Sequence, residues 1–432
     1  MPFAFLKIFE DGAAVRIMVK TFCRLQPSCA RGNTMQIAIS NIRGYRLCAH
    51  HLAQKLPRTH TAEAAGACGL QNSPPGVWET ALMNRLEGCT LQELRHALYC
   101  DKTLLQAWSF RGAPVVFPTG ESDAFLTPLI TRPGEEPWIY TRGIAAALDF
   151  LQIPFDTLLS LVKDAAGYLR DHTVKSKELL DRTLAGLVES ALPPGKQALW
   201  SAPSMYANGQ TVGEAAVSFL LRPCSFASLV VFGERRGASP TFTSFQRWTG
   251  CEPHRLPDAE KVLARKFLHC YGPTTVRSFM EWLGCSPQQA KRIWSSIADE
   301  MEPVQAGGKT CDMLSADLES LMAAEPEEDC FILMGAHDPY LDLKDRGVIL
   351  EDTSLRRLVW RTVANPGVLL RGGRIAGIWR PKMRKECLDI TITPFERLGS
   401  AGHRVVERLA EEYAAFRMLR LCKIEITEGI TP

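Results

Sequence analysis

The segment 263–313 admits few folds, because its helix starts and stops are all spelled out. Apolar spacing from Leu263 to Leu268 closes one helix, and Tyr271-Gly272-Pro273-Thr274-Thr275 breaks it. Thr275 is a good N-cap for a helix from Val276 to Leu283, and Gly284 suits the left-handed residue that ends it. Ser286 then caps a second helix with Pro287 at its first position. Ala290, Ile293, Trp294 and Ile297 recur in it at helical spacing until Glu302-Pro303 stops it. Val304 to Met313 reads as a two-stranded hairpin, and Gly307-Gly308-Lys309 as a wing turn rather than a phosphate loop, since Pro303 stands where that loop needs glycine. Helix, turn, helix and hairpin in this order predict a winged helix. Its second helix would present Gln288, Gln289, Lys291 and Arg292.

The theme recurs twice. In 60–118, Thr61 caps a helix through Gly69, Pro74-Pro75-Gly76 turns the chain, and Val77 to Leu86 forms a helix. Thr90 then caps Leu91 to Ala97, and Val115-Val116-Phe117 is strand-like. In 175–250, Thr211 opens a helix with Glu214 at its third position. Ser228 to Phe232, a turn at Gly233 to Gly237, and Thr241 to Trp248 read there as a basic hairpin. The carboxyl third differs. Phe331 to Met334, Val348 to Leu350, Gly367 to Leu370, Arg374 to Trp379 and Leu388 to Thr393 read as strands, with Gly372-Gly373 as a hairpin turn. Ala401 to Leu421 reads as one long amphipathic helix.

The expected architecture is therefore α+β, with tandem winged-helix domains followed by a β-rich C-terminal domain closed by a helix. The boundaries read as 35–130, 131–262, 263–325 and 326–432, the last opening at the acidic link Ala324 to Asp329. Residues 1–34 lack the order of a secretory signal and read as a disordered extension. No run approaches the roughly 18 apolar residues a membrane helix needs. The 14 cysteines never form a C-x-x-C pair, so reduced cytoplasmic thiols are expected and no zinc ribbon. His50-His51 has no partner at zinc spacing.

With 50 Lys and Arg against 47 Asp and Glu, the chain is no polycation, so any nucleic-acid binding must come from local basic faces. Three such faces are present. Arg371, Arg374, Arg380, Lys382, Arg384 and Lys385 run without an intervening acid; Arg235-Arg236 marks a hairpin tip; Lys291-Arg292 lies on the second helix of 263–313. On alternate strand positions such cations share a face that tracks phosphates, although they also suit a solvated edge strand. The G-x-S-x-G, H-E-x-x-H and G-x-G-x-x-G signatures are absent.

From about Met35 onward the sequence resembles the winged-helix DNA glycosylases of the AlkZ type. The resemblance rests on Cys68-Gly-Leu-Gln71-Asn-Ser73-Pro-Pro-Gly, Ala107-Trp108-Ser-Phe-Arg111-Gly112-Ala-Pro, and Tyr271-Gly-Pro-Thr-Thr with Trp282-Leu-Gly. Asp338-Pro339-Tyr340-Leu with Asp345-Arg346, and Asn365-Pro-Gly with Gly373 to Trp379, complete it. It implies tandem winged helices around a concave DNA-binding surface and removal of bulky alkylated bases, with no metal or organic cofactor.

The family's catalytic motif is glutamine, an apolar residue, then glutamine or aspartate. Gln71 matches its first position, whereas Asn72 and Ser73 depart from the second and third. Gln71 and Ser73 are the catalytic candidates, against the alternative that they cap the helix after Pro74-Pro75. Arg111, Arg235, Arg236, Lys291, Arg292, Arg374, Arg380 and Lys382 are the candidates for contact with double-stranded DNA. Trp108 is expected beneath Arg111, or else in the core. Asp338 and Arg346 read as an internal ion pair. The competing function is a non-catalytic winged-helix DNA-binding protein.

Overall fold

The computed structural model describes residues 35–137, 143–235, 237 and 239–427. The extension read at 1–34 and Arg236 lie outside the described residues. Around 263–313 the local chemistry decides the elements. Helix Ala259–Tyr271 is followed by Val276–Leu283, where the Thr275 side chain accepts the Ser278 N–H and Gly284 closes the end at φ +73°. In helix Pro287–Ser295, Ser286 accepts the Gln289 N–H. Strands Met301–Ala306 and Lys309–Leu314 pair antiparallel about Gly307 and Gly308. A further strand, Gln36–Ile37, adds parallel to Met301–Ala306 and draws the start of the described chain onto this sheet.

Two smaller sheets stand upstream. Leu70–Gln71 and Leu104–Trp108 flank Pro114–Pro118, all antiparallel. Val174–Lys175 and Val231–Phe232 flank Thr241–Thr243. Reciprocal capping boxes start the adjoining helices, Thr90 with Glu93 for Leu91–Tyr99 and Thr211 with Glu214 for Val212–Phe226. The basic hairpin read at 228–248 is half helix: after Thr243, Ser244 caps Phe245–Thr249. One hydrophobic cluster takes Phe110 and Phe125 from the first sheet's neighbourhood, Phe226 and Phe245 from the second, and Phe267, Phe279 and Trp282 from the third. Segments far apart in sequence thus share one core.

The C-terminal sheet has the order Phe331–Met334, Gly367–Arg371, Arg374–Met383, Cys387–Pro394, Arg420–Ile426, and only its last pair is parallel. Helix Ser400–Phe416 covers one face through Val406, Ala410 and Tyr413. Leu47 and Leu52, from and just beyond helix Ile39–Ala49, join the cluster on the other. Gly372 and Gly373 make the hairpin turn at φ +53° and +73°. Gly367 has no room for a side chain, because a Cβ there would lie 2.3 Å from Trp379 Nε1.

Four local expectations change. The closing helix ends at Phe416, and Leu421 belongs instead to the edge strand Arg420–Ile426, which pairs with Cys387–Pro394. Cys387 and Cys422, neighbours on those strands, are joined as a disulfide, so not every cysteine is a free thiol. Val348 to Leu350 is no strand; Arg346–Val348 is a 3-10 turn, and the Ile349 carbonyl accepts the Ile375 N–H. Asp338 pairs with Arg85, not Arg346, through two 2.8 Å bonds, while the Arg346 guanidinium lies 4.2 Å from the Trp360 ring centroid. Arg85 comes from a distant segment, so nothing in the local spacing of Asp338 betrays it.

Candidate active site

A cavity of about 460 Å³ lies where the first two sheets meet. Strand alternation builds one wall. Along Leu104–Trp108, Leu105 and Ala107 enter the shared core, which leaves Gln106 and Trp108 to line the cavity. Gln71 ends the adjoining strand, with its backbone opposite Val115. The next residue, Asn72, is almost wholly buried: its Nδ2 donates to Gln106 Oε1 at 2.9 Å, and its Oδ1 accepts the Gly76 N–H at 2.6 Å. Asn72 therefore holds the turn through Pro74-Pro75-Gly76 in place, with both ends of its amide engaged.

The Gln71 side chain is held from both ends. Its Nε2 donates to the Ser73 carbonyl at 3.0 Å, and its Oε1 accepts from Arg111 Nη2 at 3.4 Å. Arg111 sits at φ +53°, an uncommon conformation for a residue with a side chain. Its guanidinium also donates to the Trp282 carbonyl at 2.7 Å and to Asp342 at 3.1 Å. Burial pushes the Asp342 carboxyl up, against the pull of Arg111 beside it. Arg111 thus ties Gln71 to two segments far along the chain.

The opposite wall is aromatic and cationic. The Trp108 ring stacks on Phe242 at 5.3 Å and meets Phe232 edge-on at 4.7 Å. The guanidinium over Trp108 is that of Arg222, 5.5 Å from the ring centroid, rather than Arg111 as read from the sequence. Arg111 is turned away by its bonds to Trp282 and Asp342. Lys177 also lines the cavity, and its ammonium donates to both Asp181 oxygens at 2.7 and 2.8 Å. Burial lowers the Lys177 pKa, against the attraction of Asp181. No carboxylate is among the described residues lining this cavity.

Of the predicted residues, Gln71, Ser73, Arg111 and Arg235 line this one cavity, with Ser73 exposed. Lys291 is exposed on helix Pro287–Ser295, where Arg292 is ion-paired with Glu135 and Glu260. Gln289, expected to face outward, is sealed inside and donates to the Pro128 carbonyl at 2.8 Å. Packing of helix Pro287–Ser295 on the segment around Pro128 covers that position. Arg374, Arg380 and Lys382 are exposed on the long C-terminal strand, and Arg374 is paired with Glu328. Sequence reasoning missed Gln106, Lys177 and Arg222. Gln106 had one visible signal, a lone amide within the apolar run Leu104-Leu-Gln-Ala-Trp108; the other two had none.

The family model described as "DNA glycosylase AlkZ-like" matches residues 64–416, a span that takes in every residue lining the cavity. Among solved structures, the Streptomyces sahachiroi DNA glycosylase AlkZ superposes with a TM-score of 0.72 at 20% identity, covering 91% of this chain and 100% of that one. At that identity the likeness speaks for the fold. No curated protein matches the chain.

Proposed function

Because the chain belongs to the AlkZ-like DNA glycosylase family, we propose that it hydrolyses the bond between deoxyribose and an alkylated base in double-stranded DNA. The observation that carries this reading is the Gln71 carboxamide, clamped between Ser73 and Arg111 at the wall of a cavity within the size range of small-ligand sites. An N7-alkylated purine is a cation and leaves readily as a neutral base. The bond from C1′ breaks with its electron pair going to the base, and the sugar acquires oxocarbenium character. Gln71 Oε1 accepts a hydrogen bond from a water on the far side of C1′. That water adds to C1′ and loses a proton to solvent, so the amide orients it without taking the proton. The exposed Ser73 hydroxyl supplies a second hydrogen bond to the same water. Phe232 and Phe242 offer the apolar face on which an extruded base stacks.

Phosphates are taken by Arg235, by Lys291 beside the ion-paired Arg292, and by Arg374, Arg380 and Lys382 on the C-terminal strand; Arg236, also expected to contribute, lies outside the described residues. Arg111 acts beside them by orienting Gln71. The modules 35–130, 131–262 and 263–325 act as winged helices, with Gln36–Ile37 stitching the first to the third. No cofactor enters this reading. If four phosphates are neutralised, affinity for duplex DNA falls about 100-fold or more between about 50 and about 200 mM salt, as fluorescence anisotropy would record.

The direct test incubates the protein with duplex carrying N7-methylguanine and scores abasic sites. Base release above the spontaneous rate is expected; none at any protein concentration would overturn the enzymatic reading. One observation favours the second reading, a non-catalytic winged-helix binder: Asn72 is buried and bonded to Gln106 and Gly76, and serine stands where the family has its second polar group. Tight, salt-sensitive binding without release would establish it.

A further inference from the structure

We infer that His50, Cys68 and Cys270 form a zinc site that clamps the strand bearing Gln71. The three side chains come from separate places: the end of helix Ile39–Ala49, the link between helix Thr61–Gly66 and strand Leu70–Gln71, and the last turn of helix Ala259–Tyr271. Their ligating atoms all lie within 4.8 Å of one another, and the residues are 0%, 3% and 0% exposed. Cys68 Sγ stands 3.7 Å from His50 Nδ1. In a tetrahedral zinc site with ordinary bond lengths, a sulfur and an imidazole nitrogen stand about 3.6 Å apart. The pair therefore already stands at about the spacing of two ligands on one ion.

The Cys270 thiol donates to the Ala67 carbonyl at 3.4 Å and to the Ala49 carbonyl at 3.8 Å, and an ion bound by the cluster would take the place of that thiol proton. The His50 ring meets Tyr271 edge-on at 5.0 Å, which fixes its orientation. Two thiolates, one neutral imidazole and Zn²⁺ sum to zero charge, which a dry interior tolerates far better than a lone thiolate. The set has sulfur and nitrogen but no carboxylate, which points to zinc rather than calcium or magnesium.

Such an ion would tie together residues 18 and 202 positions apart, three residues before Gln71. Its role is positional, since none of the three side chains lines the cavity.

The test uses the full chain, purified reduced from zinc-supplemented growth. Elemental analysis by mass spectrometry is expected to find about one zinc per chain. Exchange for Co²⁺ is expected to give the near-ultraviolet band of thiolate ligation. Cys68→Ser and Cys270→Ser should lose both signals, whereas Cys251→Ser, at an exposed thiol, should keep them. A reduced wild-type chain without zinc that gives no cobalt–thiolate band overturns the inference, and so does zinc retained by the Cys68→Ser, Cys270→Ser double variant. Because the wild-type stoichiometry decides on its own, misfolding of a variant leaves the test intact. Base release is not among the readouts, so this inference and the glycosylase reading fail separately.

Discussion

Gln71→Ala is expected to slow release of N7-methylguanine by about 100-fold or more while leaving the folded state nearly unchanged. Loss of one group that positions a reacting molecule carries a cost of this order. The substitution removes the only side-chain oxygen that Arg111 shares with the cavity, yet Arg111 keeps its bonds to the Trp282 carbonyl and Asp342. Gln71 is only half-buried, so its truncation opens no hole in the core. Single-turnover release assays should therefore fall while the thermal midpoint moves little. Duplex affinity should hold as well, because the substitution removes no cation proposed to take a phosphate. Equal rates for the variant and the wild type would remove Gln71 from the mechanism and turn attention to Ser73, or to the binder reading.

Arg85→Met is expected to be the most damaging single change to stability, at about 3–5 kcal/mol, because it strands a buried carboxylate. Arg85 is 0% exposed and Asp338 is 2% exposed. They share two 2.8 Å bonds; Arg85 also donates to the Ala81 carbonyl, and Asp338 accepts the Tyr340 N–H. The pair joins the end of helix Val77–Met83 to the connection between the first two strands of the C-terminal sheet. Urea denaturation of Arg85→Met, Asp338→Leu and the double variant measures this directly. The double variant should be more stable than the Arg85→Met single, since removing both charges leaves nothing unpaired. A double variant as unstable as the sum of the singles would show that packing around the pair, rather than charge, holds these segments together.

Much of the local structure was legible before any coordinates. Thr90, Thr211, Thr275 and Ser286 each cap the helix expected of them, and Gly284, Gly307, Gly308, Gly372 and Gly373 take the positive φ their turns require. These are decisions among residues three or four apart, settled by which side chain reaches which orphan N–H. Thr61 is a local exception, since it opens the helix Thr61–Gly66 rather than capping it and its hydroxyl donates to the Arg58 carbonyl; other errors lie where a distant partner intervened. Leu421 kept helical spacing but was claimed by the edge of a sheet, and Asp338 had a plausible arginine nearby but met another from 253 positions away.

The candidate site divides along the same line. The sequence by itself determined that Gln71 would stand just before a proline-rich turn, and that an α+β chain with helix–hairpin units would surround it. Only the tertiary structure decided that Gln106, Trp108, Lys177 and Arg222 would face Gln71 across one cavity, and that His50, Cys68 and Cys270 would meet beneath it. The reason is physical. Capping and turn energies act within a few residues and leave a mark in the local order of side chains, whereas a cavity is closed by burial of apolar surface contributed by remote segments, which a linear spacing does not encode.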